Sequence, residues 1–90
     1  MDYSLNFRID CSKFAGTGLA MEFQLQMNFM YQWLGSSIDE IRIKGDYDEN
    51  NVRFLIVQIK FYEVPANKQF VRRKREEILQ TFGNAIVFED

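Results

Sequence analysis

The sequence has no histidine and contains one cysteine and one proline in 90 residues. The absence of histidine removes the commonest general base, the Ser–His and Cys–His nucleophile pairs and most catalytic zinc sites. One cysteine excludes an intramolecular disulfide framework and is typical of a reducing compartment, so we predict a cytoplasmic protein. The chain also shows no charged-then-apolar leader and no apolar run of roughly 18 residues, which indicates neither secretion nor membrane insertion.

Apolar residues are abundant. Hydrophobic residues make up 47% of the chain and aromatic residues 16%, which excludes a disordered chain because enough apolar surface is present to offset the ordering entropy. The chain has 11 Lys and Arg against 13 Asp and Glu, for a net charge of −2. This balance argues against a globally basic nucleic-acid binder, although a local basic patch remains compatible with it.

Two stretches of the chain alternate strictly between apolar and polar residues. Every odd position from Tyr3 to Cys11 is apolar, and the even positions between them are polar. Because successive side chains in a strand point to opposite faces, this period predicts a half-buried strand. A longer alternation places apolar residues at every odd position from Met21 to Trp33. Its Met, Leu, Gln and Glu are good helix formers, but the period favours a second strand over residues 19–34.

Further signals organise the second half of the chain. Ile38 is out of phase with the residues that follow, which predicts a bulge near Asp39. Pro65 ends the strands, and a helical apolar stripe then runs to a stop at Gly83. The predicted elements are strands over 38–47 and 52–64 joined by a hairpin loop at 48–51, a helix over 66–82 and a short strand over 85–88. We therefore predict one α+β domain over residues 1–90, in the order β-β-β-β-α-β, with a bent, mostly antiparallel sheet of four to five strands and one C-terminal helix.

The predicted second strand raises a problem of size. As one straight strand, residues 19–34 would extend roughly 50 Å, whereas a compact chain of this length is only about 30 Å across. One helix also cannot cover the apolar face of four long strands, so the sheet must curl or a second copy must cover it. From residue 24 to residue 32 the outer face of this strand carries no charge, which favours self-association into a homo-oligomer over an ordinary polar face. The residues of that face are Gln24, Gln26, Asn28, Met30 and Gln32.

No stretch matches a catalytic, phosphate-binding or metal-binding motif. The loop Gly16–Gly18 lacks the spacing of a Walker or a dinucleotide-binding loop. Asp46, Asp48 and Asn50 have the first spacings of a calcium loop, but its required Gly and Glu are missing. Cys11 is in phase with the core side chains of its strand, which favours a packing role. We therefore predict a non-enzymatic protein with no cofactor and no metal.

Charge is concentrated at two places. Residues 66–75 carry a charge of +5, at Lys68, Arg72, Arg73, Lys74 and Arg75. This basic segment is either a solvated helix face or a site for phosphates, RNA or an acidic protein surface. Acidic residues cluster around the predicted hairpin, where Asp46, Asp48 and Glu49 form a second candidate contact.

The function hypothesis is based on the classes of function that the sequence excludes. Without catalytic constellations but with ample apolar and mixed-charge surface, the chain fits a small protein that binds and blocks a larger macromolecule. Inhibitors, immunity proteins and phage counter-defence proteins are often of this size and class. The predicted partner-binding residues are Lys68, Arg72, Arg73 and Arg75 with Asp46, Asp48 and Glu49. Two alternatives remain open: nucleic-acid binding through residues 68–75, and a nucleotide-ligand sponge with pockets between subunits.

Overall fold

The first alternation forms a strand as predicted. In a computed structural model that describes residues 2–89, strand β1 spans Ser4–Asp10 and buries Leu5, Phe7 and Ile9 on one face. A short 3₁₀ helix, Cys11–Phe14, follows and is capped by the Asp10 carboxylate, which accepts a hydrogen bond from the Ser12 amide at 2.9 Å. Burial is therefore confined to the odd positions of this strand, because a pleated strand offers one face to the core.

The sheet has four strands and is open. Besides β1 it contains β2 (Ile38–Tyr47), β3 (Arg53–Phe61) and β4 (Ile86–Phe88), in the order β2-β3-β1-β4, and each strand is antiparallel to its neighbours. The register between β2 and β3 shifts between Ile38 and Glu40. The predicted bulge near Asp39 and the predicted antiparallel sheet are confirmed.

The predicted second strand is wrong. Residues Leu19–Tyr31 form helix α1, which begins after Gly18 in a left-handed conformation with φ of +75°. Met, Leu, Gln and Glu are good helix formers, so the local preference is compatible with this helix, although the period of two favours a strand. The problem of size disappears with this change, because a helix rises about 1.5 Å per residue where a strand rises about 3.3 Å.

Strand directions explain why a helix lies here. Strands β1 and β2 are both antiparallel to β3, so they run parallel to each other, and parallel strands require a crossover connection that is usually a helix. Helix α2 (Pro65–Phe82) makes the corresponding crossover from β3 to β4. The element order is therefore β-α-β-β-α-β, the split βαβ topology known as ferredoxin-like.

Helix α2 confirms the predicted C-terminal helix. Pro65 is its first residue, where the missing amide hydrogen costs nothing, and Gly83 follows it with φ of +54°. Near its start the buried Asn67 side chain donates hydrogen bonds to the carbonyl oxygens of Ser37 at 3.2 Å and Tyr62 at 2.8 Å. These two bonds tie the beginning of α2 to the beginning of β2 and the segment after β3.

Both helices pack on one face of the sheet. Phe14, Phe23 and Phe82 form a ring cluster with centroids 6.4 Å apart, which joins the 3₁₀ helix to α1 and α2. Leu25 and Phe29, predicted to face inward, are instead exposed on α1. The buried hydrophobic core comprises Leu5, Phe7, Ile9, Met27, Met30, Ile38, Val57, Ile59, Phe61, Val71, Ile78, Phe82 and Ile86. Within residues 2–89, neither helix combines the length and apolar content that a bilayer-spanning segment needs.

Candidate interaction surface

The basic segment 68–75 does not form one patch. Lys74 is buried, because it lies on the helical stripe that also carries Val71 and Ile78. Its ammonium nitrogen lies 3.3 Å from the Glu77 carboxylate and donates a hydrogen bond to Gln26 Oε1 at 3.3 Å. This charge is neutralised inside the protein and is not presented to a partner.

The four predicted partner-binding cations of α2 face different surroundings. Lys68 forms an ion pair with Asp2, in which Nζ lies 3.7 Å from the carboxylate oxygen Oδ2. Arg75 is half-buried, and its guanidinium carbon lies 4.6 Å from the centre of the Phe88 ring on β4. Arg72 and Arg73 are exposed. Lys68 is exposed as well, so the outward part of the predicted basic site comprises Lys68 and the two adjacent arginines.

The five residues predicted to form a neutral self-association face do not share a face. Met30 is 1% exposed and belongs to the core. Gln26 faces α2, where its Nε2 donates to Glu77 at 3.2 Å. Gln24 and Asn28 are exposed, and Gln32 is the C-terminal cap of the helix. The predicted face is wrong because positions two apart lie about 200° apart around a helix rather than side by side.

A different apolar surface runs along α1. Met21, Leu25, Phe29 and Trp33 follow one another four residues apart, and we call this row the apolar stripe. Their exposed fractions fall along the row, at 68%, 56%, 38% and 37%. The inner end is anchored: the Phe29 and Trp33 rings are 6.1 Å apart, and Trp33 is 5.8 Å from Phe70 of α2. The stripe thus extends outward from the core and is most exposed at Met21.

The alternation itself produces this stripe. When every second residue of a helix is apolar, the apolar residues fall into two rows, each with a spacing of four. One row, Leu19, Phe23 and Met27, packs against the core. The other row, Met21, Leu25 and Phe29, has no place in that core and is exposed. The spacing of four within the alternation, together with the helix formers, was the sequence signal for this surface.

Polar groups border the stripe on the side of α2. Besides its bonds to Gln26 and Glu77, Lys74 places its nitrogen 4.2 Å above the centre of the Phe29 ring. The hydrogen bond from Gln26, followed by that from Lys74, lowers the pKa of Glu77, and partial burial opposes this effect. The result is an apolar row with a hydrogen-bonded polar rim, which is the usual anatomy of a protein interface.

In the acidic hairpin, two of the carboxylates accept hydrogen bonds from nearby backbone amides. The Asp48 carboxylate accepts hydrogen bonds from the backbone amides of Asn50 at 2.8 Å and Val52 at 2.9 Å, and so shapes the turn. The Asp46 carboxylate accepts from the amide of the next residue at 2.8 Å. Asp46 and Glu49 are exposed at this end of the molecule. The structure does not bring the hairpin and the arginines of α2 into contact through any bond it shows among residues 2–89.

The open face of the sheet carries a groove of about 580 Å³. It is lined mainly by polar side chains of β1, β2 and β3, including Asn6, Arg42, Gln58 and Lys60. The one aromatic ring of β3 on this face, Phe54, is buried under the Arg8 guanidinium at 3.6 Å. Sheets of this topology that bind RNA stack bases on exposed rings of the two central strands. The outward rows of β1 and β3 present amides and charges to the groove instead.

Two observations concern reactive and metal-binding groups. Cys11 is half-buried, and burial raises the pKa of its thiol, which opposes formation of the nucleophilic thiolate. Within residues 2–89, no three His, Cys, Asp or Glu side chains are grouped so that they could hold a metal ion.

Comparison of the chain with protein-family models, with curated proteins and with solved structures finds no match.

Proposed function

We propose that this protein is a non-enzymatic binding module that docks on a larger protein through the apolar stripe and blocks the surface it covers. The observation that carries the proposal is the row Met21, Leu25 and Phe29, which places large apolar side chains in water on a helix that already buries its other row. Contiguous exposed apolar surface on a small protein marks an interaction site.

The geometry of the stripe indicates the chemistry of the partner. Anchors at every fourth position of a helix fit an apolar groove on another protein, in the helix-in-groove mode of recognition. Burying one such side chain contributes roughly 1.5–3 kcal/mol, so a groove that takes two or three of them supports a specific complex. Gln26 and Glu77, at the edge of the stripe, would lie in the polar rim.

The test compares two lysine substitutions on the same helix. Leu25→Lys places a charge in the stripe, whereas Gln24→Lys places the same charge on an exposed position one residue away. The protein and both variants, each tagged and folded, would be used to capture partners from cells that contain them, with identification by mass spectrometry and affinity measured by calorimetry. We expect one dominant protein that binds the parent and Gln24→Lys and binds Leu25→Lys at least about tenfold more weakly. Equal binding by all three would refute the use of the stripe.

The same experiment decides between this proposal and nucleic-acid binding. Exposed Arg72 and Arg73 would neutralise phosphates, and their replacement by Glu would then abolish capture of RNA and reduce the dependence of affinity on salt. We expect this double variant to retain the protein partner. If the double variant captures neither the protein partner nor the RNA that the parent captures, the proposal is overturned in favour of the basic site. The nucleotide sponge, which requires pockets between subunits, and the cytoplasmic location stay predictions.

A further inference from the structure

Strand β2 is a long edge of the sheet with apolar side chains left in water. It has ten residues and lies at the end of the strand order, while β4 at the other end has three. Ile43 is 40% exposed and Tyr47 is 56% exposed, although both point to the face that carries the helices. A long edge strand presents unpaired backbone groups that can pair with another chain.

The outward side chains of β2 carry both signs of charge. Along the open face they are Glu40, Arg42, Lys44 and Asp46, with the two cations between the two acids. Edge strands use charges to prevent association, but a row with both signs also selects a register, because opposite charges attract and like charges repel across a strand pair. Only certain registers of two identical strands bring opposite charges together.

We propose that β2 pairs with β2 of a second copy, antiparallel, about a two-fold axis at Gly45. In this register Lys44 lies opposite Asp46 of the second copy, twice by symmetry. On the helix face Ile43 lies opposite Tyr47 of the second copy, also twice, which covers the two exposed apolar residues. The four-stranded sheets of the two copies then form one continuous sheet, joined by a closed two-fold contact.

The neighbouring registers are less favourable. Directly opposite residues must share a face, so the axis must pass through a residue. An axis at Ile43 places Arg42 opposite Lys44 and Glu40 opposite Asp46, both like-charged. Axes at Arg42 or Lys44 place that residue opposite itself. An axis at Ile41 gives favourable pairs of Glu40 with Arg42, but the bulge between Ile38 and Glu40 stops the ladder after a few residues.

Gly45 leaves room for a side chain of the neighbouring strand. On the helix face, the space beside Gly45 is filled by the Arg53 side chain, whose Nη2 would lie 2.8 Å from a Cβ at this position. The glycine at the axis is therefore explained within one chain, and it adds no side chain of its own to the contact between the two copies.

The experiment is sedimentation equilibrium of the full chain over a range of concentrations from about 5 to 500 µM, at low and high salt. Lys44→Asp alone sets Asp against Asp across the axis, and Asp46→Lys alone sets Lys against Lys. An equimolar mixture of the two variants, and a chain that carries both changes, restore opposite charges. Lys13→Asp, an exposed change of the same charge away from β2, is the control.

We expect the parent and the control to form a dimer, and each single variant to dimerise at least about tenfold more weakly, with rescue in the mixture and in the doubly changed chain. Circular dichroism would verify that each variant is folded. A parent that stays monomeric at all concentrations would overturn the proposal, as would a dimer that neither single change weakens. A dimer that Lys44→Asp strengthens would indicate the axis at Ile43 and overturn the proposed register.

Discussion

Two single substitutions in α1, Met30→Ala and Leu25→Ala, distinguish the observed helix from the strand that the alternation predicts. Met30 is buried among the core residues, whereas Leu25 is more than half exposed on the stripe. Truncation of a buried Met to Ala costs about 2–5 kcal/mol, because it removes apolar contacts and leaves a cavity. For a chain of this size the total free energy of unfolding is about 5–13 kcal/mol, so Met30→Ala should remain folded but lose a large share of its stability. Leu25→Ala should change it by under about 0.5 kcal/mol, since it removes an exposed side chain and introduces the best helix former.

Urea unfolding monitored by circular dichroism measures both values. With an m-value of about 1.5 kcal/mol/M, a loss of about 3 kcal/mol lowers the midpoint by about 2 M. A strand with the observed alternation would give the reverse order, because Leu25 would point inward and Met30 outward. A large loss for Leu25→Ala with little change for Met30→Ala would therefore refute the helical assignment and the stripe derived from it.

Two further predictions concern polar groups. Asn67→Asp replaces an amide donor with a carboxylate that faces two backbone carbonyl oxygens, so we expect a loss of about 1–3 kcal/mol in urea unfolding at pH 7, with less loss at pH 4 where the acid can donate. The pKa of Glu77 is lowered below its ordinary value of 4.5, so its contribution to stability is present above that value and is lost as pH falls through the lower, folded pKa. Since this carboxylate is half exposed, the parent should lose at most about 1 kcal/mol more than Glu77→Gln between pH 6 and pH 3, and a parent that gains stability over Glu77→Gln on acidification would contradict the direction of the shift.

Local patterns predicted most elements of this fold. The alternation at 3–11 required only that one face of β1 be buried, and it is. Pro65 and Gly83 predicted the ends of α2, because proline fits the first turn of a helix and glycine readily takes a positive φ after it, as Gly83 does. The hairpin at 48–51 followed from residues that tolerate turn conformations, and Asn51 has φ of +63°.

The candidate surfaces were harder to predict. Arg72 and Arg73 are exposed, whereas Lys74 is internal because its aliphatic stem completes the core-facing stripe of α2, Glu77 neutralises its charge and Gln26 accepts a hydrogen bond from it. The apolar stripe was not predicted, because the alternation that contains it is compatible with both a strand and a helix. Apolar residues at every second position read equally as one face of a strand or as two rows of a helix, and a single sequence does not choose between them.

The sequence by itself determined the α+β class, the four strands, the hairpin between two of them, and the C-terminal helix, because those signals depend on backbone preferences within a few residues. Only the tertiary structure decided that residues 19–31 are helical, since β1 and β2 run parallel with β3 between them and need a crossover that covers the sheet. It also decided which of the two apolar rows of α1 is buried. Phe23 and Met27 pack in the core beneath the sheet, so Met21 and Leu25 are exposed to solvent and available to another protein.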